Sequence, residues 1–169
     1  LLRALEAGIP ASKIVFSGVG KTTEEIELGL KKGVYSFNVE SVEELELINS
    51  LAGKMKKTAR ICFRFNPEVV SKTHKYISTG NKTHKFGILK KDILATVKNK
   101  KLWTSSKLVG LSIHIGSQLL DLKATKTAIE RMCDVAIASK VDLEFLDVGG
   151  GLGIDYQASE TAKVPKIAD

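Results

Sequence analysis

The sequence is poor in cysteine, proline and aromatic residues. Its 169 residues include two cysteines, three prolines and one tryptophan, and Phe, Trp and Tyr together make up 6%. Cys62 and Cys133 lie far apart, in a strand-like and a helix-like context, which argues against a disulfide or a metal motif and favours buried thiols. The scarcity of aromatics also argues against a surface that stacks on nucleobases.

Long apolar runs are lacking too. No stretch approaches the roughly 18 apolar residues that indicate a transmembrane helix, and no basic-then-apolar signal segment opens the chain. With 43% apolar and 27% charged residues, the composition is that of a globular domain with one hydrophobic core. We therefore expect a cytoplasmic protein without a membrane partner.

Positive charge is in excess, with 26 Lys and Arg against 19 Asp and Glu, a net charge of +7. Such a balance could attract nucleic acid or an acidic small molecule. However, the lysines occur in scattered pairs, beginning at positions 31, 56, 90 and 100, on predicted helix faces and turns. A solvated surface is the favoured interpretation, and we expect no nucleic-acid partner.

Helix signals alternate with short apolar runs along the chain. Thr22 and Glu25 match a capping box, and Gly33 lies where that helix should end. Ser41 and Glu44 repeat the box, with Gly53 as the predicted stop. The five strand-like runs lie in “KIVFSG”, “VYSFNV”, “ARICFRF”, “LVGLSIHIG” and “LEFLDV”.

This alternation predicts βα units and a parallel sheet, with ligands at the carboxyl ends of the strands. A flavodoxin-like doubly wound sheet would be complete at this length, whereas a (β/α)₈ barrel typically needs about 250 residues. The chain opens inside an amphipathic stretch without Met and stops at Asp169 without a terminating element. We therefore expect a partial (β/α)₈ barrel of about five units, with residues 1–169 forming one partial domain of a longer protein.

The fourth strand carries the first candidate site residue. Alternation places Val109, Leu111, Ile113 and Ile115 towards the helices, and Gly110, Ser112 and His114 towards the barrel interior. His114 comes at the carboxyl end, where barrel enzymes carry their active sites. A core histidine bonded to a neighbour is the alternative.

A glycine run follows the fifth strand in “LDVGGGLGIDY”. Backbone N–H groups freed after a strand bind phosphate oxygens, and glycines let the anion approach closely. Gly149, Gly150 and Gly151 are thus candidate phosphate ligands, although a cramped turn would need the same residues. Ser117, in the loop after His114, could add a hydroxyl. The run is neither a Walker A loop nor a G-x-G-x-x-G fingerprint.

The third strand is followed by a long polar segment that contains two “KTHK” copies. Its His74 and His84 lack the spacing and the carboxylates of a zinc site, and no role is assigned to them. Arg64, at the end of the strand, is predicted to be a fixed cation at the barrel mouth, with a structural salt bridge as the alternative.

Together these motifs resemble the diaminopimelate decarboxylases, pyridoxal-phosphate enzymes of the alanine-racemase-like barrel class. The resemblance rests on “IVFSGVGKTTEEI”, “FNVES”, “RFNPEVVSKTHKYISTGNKTHKFGI”, “GLSIHIGSQ” and “LDVGGGLGIDY”. It implies decarboxylation of meso-diaminopimelate at its D-configured centre to L-lysine, the last step of lysine biosynthesis. It also implies a homodimer for the full-length protein.

The resemblance implies a role for each candidate residue. His114 should stack on the pyridoxal ring, Ser117 should hydrogen-bond the phosphate, and Gly149 to Gly151 should cradle it, with Arg64 near the cofactor. The Schiff-base lysine motif, the “EPGR” segment and the late cysteine of the family do not occur here, and Lys21 matches a different family position. We therefore expect no catalytic residue within this chain and no activity from it alone.

Two other functions remain open from the sequence. A sister decarboxylase acting on carboxynorspermidine, ornithine or arginine would share the barrel and differ in the substrate-contacting segments. A non-enzymatic barrel protein that carries pyridoxal phosphate would lack a β-rich C-terminal domain.

Overall fold

Five parallel strands and five helices alternate along the part of the chain that the structure describes. The computed structural model describes residues 1–69, 86–120 and 122–154. The helices are α1 (Leu2–Glu6), α2 (Thr23–Lys32), α3 (Val42–Lys54), α4 (Lys90–Lys98) and α5 (Lys123–Ser139). The strands are β1 (Val15–Phe16), β2 (Ser36–Val39), β3 (Ala59–Arg64), β4 (Ser106–Ser112) and β5 (Phe145–Asp147), and 3₁₀ turns span Ala11–Lys13 and Lys100–Trp103.

The strands pair in their order along the chain, β1-β2-β3-β4-β5, and every pairing is parallel. A doubly wound sheet has a point where the strand order reverses, whereas a βα barrel adds each strand beside the previous one. The described sheet is therefore a curled half-barrel, as predicted, and the flavodoxin-like alternative is wrong.

A β-bulge changes the predicted alternation in β4. Ile61 pairs with Leu108, but its neighbour Cys62 pairs with Gly110, so Val109 is an extra residue in β4. Leu108 therefore joins Leu111 in the core cluster, and Val109 is buried outside that cluster. Strict alternation fails at a bulge, so the direction predicted for Val109 does not follow from its neighbours in β4.

The capping prediction for α2 is confirmed in full. Thr22 Oγ1 accepts from Glu25 N at 3.3 Å, a Glu25 carboxylate oxygen accepts from Thr22 N at 2.8 Å, and Gly33 ends the helix with φ +73°. Gly53, in contrast, does not stop α3. The helix continues to Lys54 and Met55 packs against the core, while the left-handed residue is Lys56, with φ +53°.

One apolar core lies between the sheet and the helices. Ile61, Phe63 and Leu111 from the strands are fully buried, as are Leu45, Ile48 and Ala52 of α3. In α5, Met132 is fully buried and Ile129 and Ala136 are half-buried, as is Leu122 just before the helix. The innermost line of α5 is Ala128, Met132 and Val135.

Several lysines lie in the last turns of helices, among them Lys31 and Lys32 in α2, Lys54 in α3 and Lys98 in α4. Cations near a helix C-terminus interact favourably with the negative end of the macrodipole. Their position thus has a structural reason, in line with a solvated surface. No helix of the described residues is long and apolar enough to cross a membrane.

The amino-terminal ends of β3 and β5 are joined by a charged cluster. Arg60 Nη2 lies 2.6 Å from Glu144 Oε2, and Arg60 Nε donates to the Tyr35 carbonyl at 2.7 Å. The guanidinium also stacks over the Tyr35 ring, 4.6 Å from its centroid, and Tyr35 in turn contacts Phe145. Lys107 Nζ is 3.1 Å from Glu144 Oε1. Arg60 therefore has a structural role, and it lies at the opposite strand ends from Arg64.

Candidate functional site

A cavity of about 290 Å³ opens at the carboxyl ends of the strands. Each of the five strands contributes its last residues or the loop that follows to the lining. The described residues lining it are Ser17, Gly18, Asn38, Glu40, Arg64, Ser112, Ile113, His114, Asp147 and Gly149. The position agrees with the rule that barrel sites form from the loops after the strands.

Arg64 is held rigidly at the cavity wall. Its Nη1 donates to Glu40 Oε1 at 2.8 Å, and its guanidinium lies 5.4 Å from the centroid of the Phe86 ring. The two ion-pair side chains are 20% and 10% exposed, so solvent screens the pair weakly. Arg64 is thus both the fixed cation and the salt-bridge residue, two interpretations that the sequence alone left as alternatives.

His114 lies two residues beyond the end of β4, lines the cavity and is exposed. It is therefore not a core histidine, and that alternative is wrong. The backbone of Gly149 lies against it: a Cβ atom on Gly149 would be 3.4 Å from His114 Cα and would collide with the Ile113 carbonyl oxygen. The structure thus brings Arg64, His114 and Gly149 together around one cavity.

The glycine run serves two different purposes. Gly149 has φ +74° and Gly151 has φ +94°, and a Cβ on Gly151 would collide with the Gly116 carbonyl oxygen. These two glycines are required by the close approach of the loops after β4 and β5. At Gly150, no described atom lies within 4 Å of an added Cβ, so this residue faces open space.

The loops after β4 and β5 pair with each other beside the cavity. Leu119 N donates to Gly151 O at 2.8 Å, and Gly153 N donates to Leu119 O at 3.0 Å. Ser117 is exposed in the first of these loops, and its Cα would lie 3.2 Å from a Cβ on Gly151. Ser117, Gly150 and Gly151 therefore adjoin the cavity in one paired loop structure, without belonging to its described lining.

Two carboxylates at the site were not selected from the sequence. Asp147 ends β5, and its Oδ1 accepts from Gly149 N at 2.9 Å, which fixes the first turn of the glycine run. Glu40 follows β2 and binds Arg64. Alternation along the strands could have pointed to both residues. It places Asp147 on the same face as Phe145, and Glu40 on the same face as Ser36 and Asn38.

Three buried polar atoms of lining residues find no hydrogen-bond partner among the described residues. They are Asn38 Oδ1, Glu40 Oε2 and Ser112 Oγ. Buried polar atoms are rarely left unpaired in native proteins, because desolvation without a compensating hydrogen bond is costly. The cavity wall therefore offers polar groups to a bound molecule or to water.

The cysteines and histidines elsewhere in the chain contribute little. Burial raises the pKa of Cys62 to about 12, so its thiol stays protonated and unreactive, as predicted for a buried thiol. His74 and His84 lie outside the described residues. Within residues 1–69, 86–120 and 122–154, no group of three His, Cys, Asp or Glu side chains could hold a metal ion.

Comparison with known proteins identifies the class to which this site belongs. The family model for the pyridoxal binding domain of pyridoxal-dependent decarboxylases matches residues 1–169. The diaminopimelate decarboxylase of Neisseria meningitidis is 46% identical over 160 residues, which cover 93% of this chain and 39% of the relative. That of Bacteroides thetaiotaomicron is 44% identical over 165 residues, 96% of this chain and 43% of the relative.

A solved structure gives the same result. The crystal structure of Helicobacter pylori diaminopimelate decarboxylase complexed with L-lysine superposes with a TM-score of 0.87 at 44% identity, covering 98% of this chain and 42% of that one. The chain thus spans about two fifths of the length of these relatives. The strand order, the site at the strand ends and the match over every residue together show that this chain belongs to the pyridoxal-dependent decarboxylases and corresponds to their pyridoxal binding domain.

Proposed function

We propose that this chain is the cofactor-holding part of a diaminopimelate decarboxylase, which converts meso-diaminopimelate to L-lysine and carbon dioxide. The observation that carries the proposal is the convergence of Arg64, His114 and Gly149 on one cavity at the strand ends. The relatives named above support this substrate, and the Helicobacter pylori structure contains L-lysine, which would be the reaction product.

The residues at the cavity fit pyridoxal phosphate. The unpartnered Asn38 Oδ1 and Ser112 Oγ offer hydrogen bonds to a polar ligand, and Arg64 offers a fixed positive charge. Gly150 leaves open space beside the wall, so a phosphate could approach its backbone closely. A flat aromatic ring with a phosphate arm has groups complementary to each of these features.

Each residue has a proposed task towards that cofactor. His114, exposed at the cavity, packs its imidazole on the ring face and limits where the ring can lie. Ser117 and the backbone N–H groups of Gly150 and Gly151 bind the phosphate, whereas Gly149, whose N–H donates to Asp147 Oδ1, shapes the cavity wall beside it. Arg64, held by Glu40, orients the polar edge of the ring. Pyridoxal phosphate, when bound, supplies the electron sink for the pair of electrons left when carbon dioxide departs.

Ligand binding tests the proposal directly. Pyridoxine 5′-phosphate suits the experiment because it lacks the aldehyde that would react with the many lysines of the chain. Titration monitored by ligand fluorescence should show saturable binding, and pyridoxine without the phosphate should bind at least tenfold more weakly. Equal binding of the two compounds would contradict a phosphate site.

Activity requires groups outside this chain. We propose that the 169 residues alone form no lysine from meso-diaminopimelate and pyridoxal phosphate, because the lysine that attaches the cofactor is supplied elsewhere. The longest reading frame that contains the chain should form lysine and should prefer meso-diaminopimelate to ornithine and arginine. Lysine formation by the 169 residues alone, above a no-protein control, would contradict this assignment.

The proposal also includes a homodimer in the cytoplasm for the longer protein, by its resemblance to the family. Sedimentation of the product of that reading frame should give twice the mass of one chain. Cell fractionation should recover the protein without detergent.

A further inference from the structure

Lys21 is a buried cation next to the cavity. Its side chain is 2% exposed, and Nζ donates to three acceptors at 2.7 Å each: the carbonyls of Gly18 and Asn38, and Glu44 Oε1. An ammonium has three donors, and all three are used here. Burying this charge is costly without such partners, so its position is tightly determined.

The partners of Lys21 are parts of the cavity wall. Gly18 and Asn38 both line the cavity, and they belong to different elements, the loop after β1 and strand β2. One ammonium therefore ties together the first two strand ends of the half-barrel at the level of the site.

Glu44 extends the connection to Arg64. Glu44 Oε1 binds Lys21, and Glu44 Oε2 accepts from the backbone N–H of Glu40 at 2.7 Å. Glu40 Oε1 then accepts from Arg64 Nη1 at 2.8 Å. A continuous series of charge-assisted hydrogen bonds, the shorter and stronger kind, thus leads from Lys21 through Glu44 and Glu40 to Arg64.

Capping of helix α3 does not account for this use of Glu44. Ser41 caps α3 by accepting from Glu44 N at 3.1 Å. In a capping box the Glu44 side chain would return to the N–H of the cap residue, yet here it reaches one residue further back, to Glu40. Glu44 therefore fixes the backbone of the residue whose side chain holds Arg64.

We propose that Lys21, acting with Glu44, is a positioning residue that holds Glu40, and through it Arg64, in the orientation that faces the cofactor. The inference depends on the proposed function, because it assigns Lys21 a task towards the same ligand. Networks of this kind hold binding groups within the narrow range of geometry that a site requires.

A double-mutant cycle in the longest reading frame containing this chain separates this task from a purely structural one. Lys21→Met should weaken pyridoxine 5′-phosphate binding about tenfold, since a misplacement of the order of 1 Å can cost that much or more. In an Arg64→Met background, the same Lys21 change should alter the dissociation constant less than twofold. Equal losses in both backgrounds would overturn the proposal.

A second readout does not need the ligand. The Arg64 Nε–Hε NMR signal, assigned by its loss in Arg64→Met, should shift or broaden in Lys21→Met and in the nearly isosteric Glu44→Gln. Glu144→Gln is the matched control, because it removes an ion pair to the other arginine of β3, Arg60, at the opposite strand ends. It should change neither the Arg64 signal nor the dissociation constant.

The outcomes distinguish the two proposals. If the unmodified protein fails to bind the phosphate ester, the proposed function is wrong. The Arg64 NMR signal then still tests whether Lys21 and Glu44 position Arg64. If the unmodified protein binds normally and Glu44→Gln leaves both affinity and the Arg64 signal unchanged, the positioning inference is wrong. Should Lys21→Met fail to fold, Lys21→Arg and Glu44→Gln replace it in the double-mutant cycle. Both should lower the affinity for the phosphate ester when Arg64 is present.

Discussion

The backbones of His114 and Gly149 lie close together beside the cavity, although 34 residues separate them in the chain. A Cβ on Gly149 would be 3.4 Å from His114 Cα and would overlap the carbonyl oxygen of Ile113. The loops after β4 and β5 therefore pack closely here, and a larger residue at position 149 would strain this contact. The glycine run has a packing role in addition to any role towards a phosphate.

Substitution of neighbouring glycines should therefore have unequal effects on stability. Gly149→Ala places a Cβ into the Ile113 carbonyl in a left-handed conformation, and we expect it to lower the free energy of unfolding by on the order of 1–3 kcal/mol. Gly150→Ala meets no described atom within 4 Å and should change the same quantity by less than about 0.5 kcal/mol. Urea unfolding of the three proteins measures both values.

Gly150→Ala should affect ligand binding, although it should not affect stability. If its open backbone is where a phosphate approaches, Gly150→Ala should weaken pyridoxine 5′-phosphate binding in a protein that is as stable as the unmodified one. Equal destabilisation by the two alanines would contradict the packing role assigned to Gly149.

The ion pair at the other strand ends should make stability depend on pH. Hydrogen bonds from Arg60 and Lys107 lower the pKa of Glu144 from its usual 4.5 to about 2. A depressed carboxyl pKa in the folded state stabilises the fold above the unfolded value, and that stabilisation is lost as the pH falls from about 4.5 to about 2.

Glu144→Gln removes the titrating group and keeps its shape. The urea midpoint of the unmodified protein should exceed that of Glu144→Gln at pH 6, and the gap should close towards pH 2.5. A gap that stays constant over this range would show that the carboxylate contributes nothing through its charge.

Local features were predictable from the sequence, whereas features set by distant residues were not. The α2 cap depends on Thr22, Glu25 and Gly33 alone, so a window of twelve residues contains all the information. Gly53 was predicted to stop α3, yet the helix continues to Lys54 and Met55 packs against the core, a contact that the sequence window does not reveal. The bulge at Val109 arises from pairing with β3, and within β4 only the neighbouring Gly110 hints at it.

The candidate site shows the same division. His114 and Arg64 follow from their place at strand ends, and the structure puts both at one cavity. Alternation puts Glu40 on the face of Asn38, but its task could not be predicted, because that task comes from Arg64, 24 residues away, and from Glu44, which holds its backbone. The open surroundings of Gly150 compared with Gly149 depend on the neighbouring loop, which no count of glycines reveals.

Helix α5 offers a matched pair of substitutions that tests how it packs on the sheet. Met132 is fully buried, whereas Ile137, on the same helix, is 78% exposed. Met132→Ala should cost about 2–5 kcal/mol of unfolding free energy, the range for truncating a buried side chain. Ile137→Ala should change it by less than about 0.5 kcal/mol. Similar costs for both would mean that α5 is rotated relative to the face described.

The tasks proposed for Ser117 and His114 can be separated by comparing two ligands. Ser117 is assigned to the phosphate, so Ser117→Ala should weaken pyridoxine 5′-phosphate binding about tenfold, as expected for a hydrogen bond to a charged group, and leave pyridoxine unaffected. His114 is assigned to the ring, so His114→Ala should weaken both ligands by the same factor, about three- to tenfold for a lost ring contact. Calorimetric dissociation constants for both ligands with the three proteins provide the test. If His114→Ala weakened only the phosphate ester, the imidazole would have to bind the phosphate, and the stacking arrangement proposed for this site would be wrong.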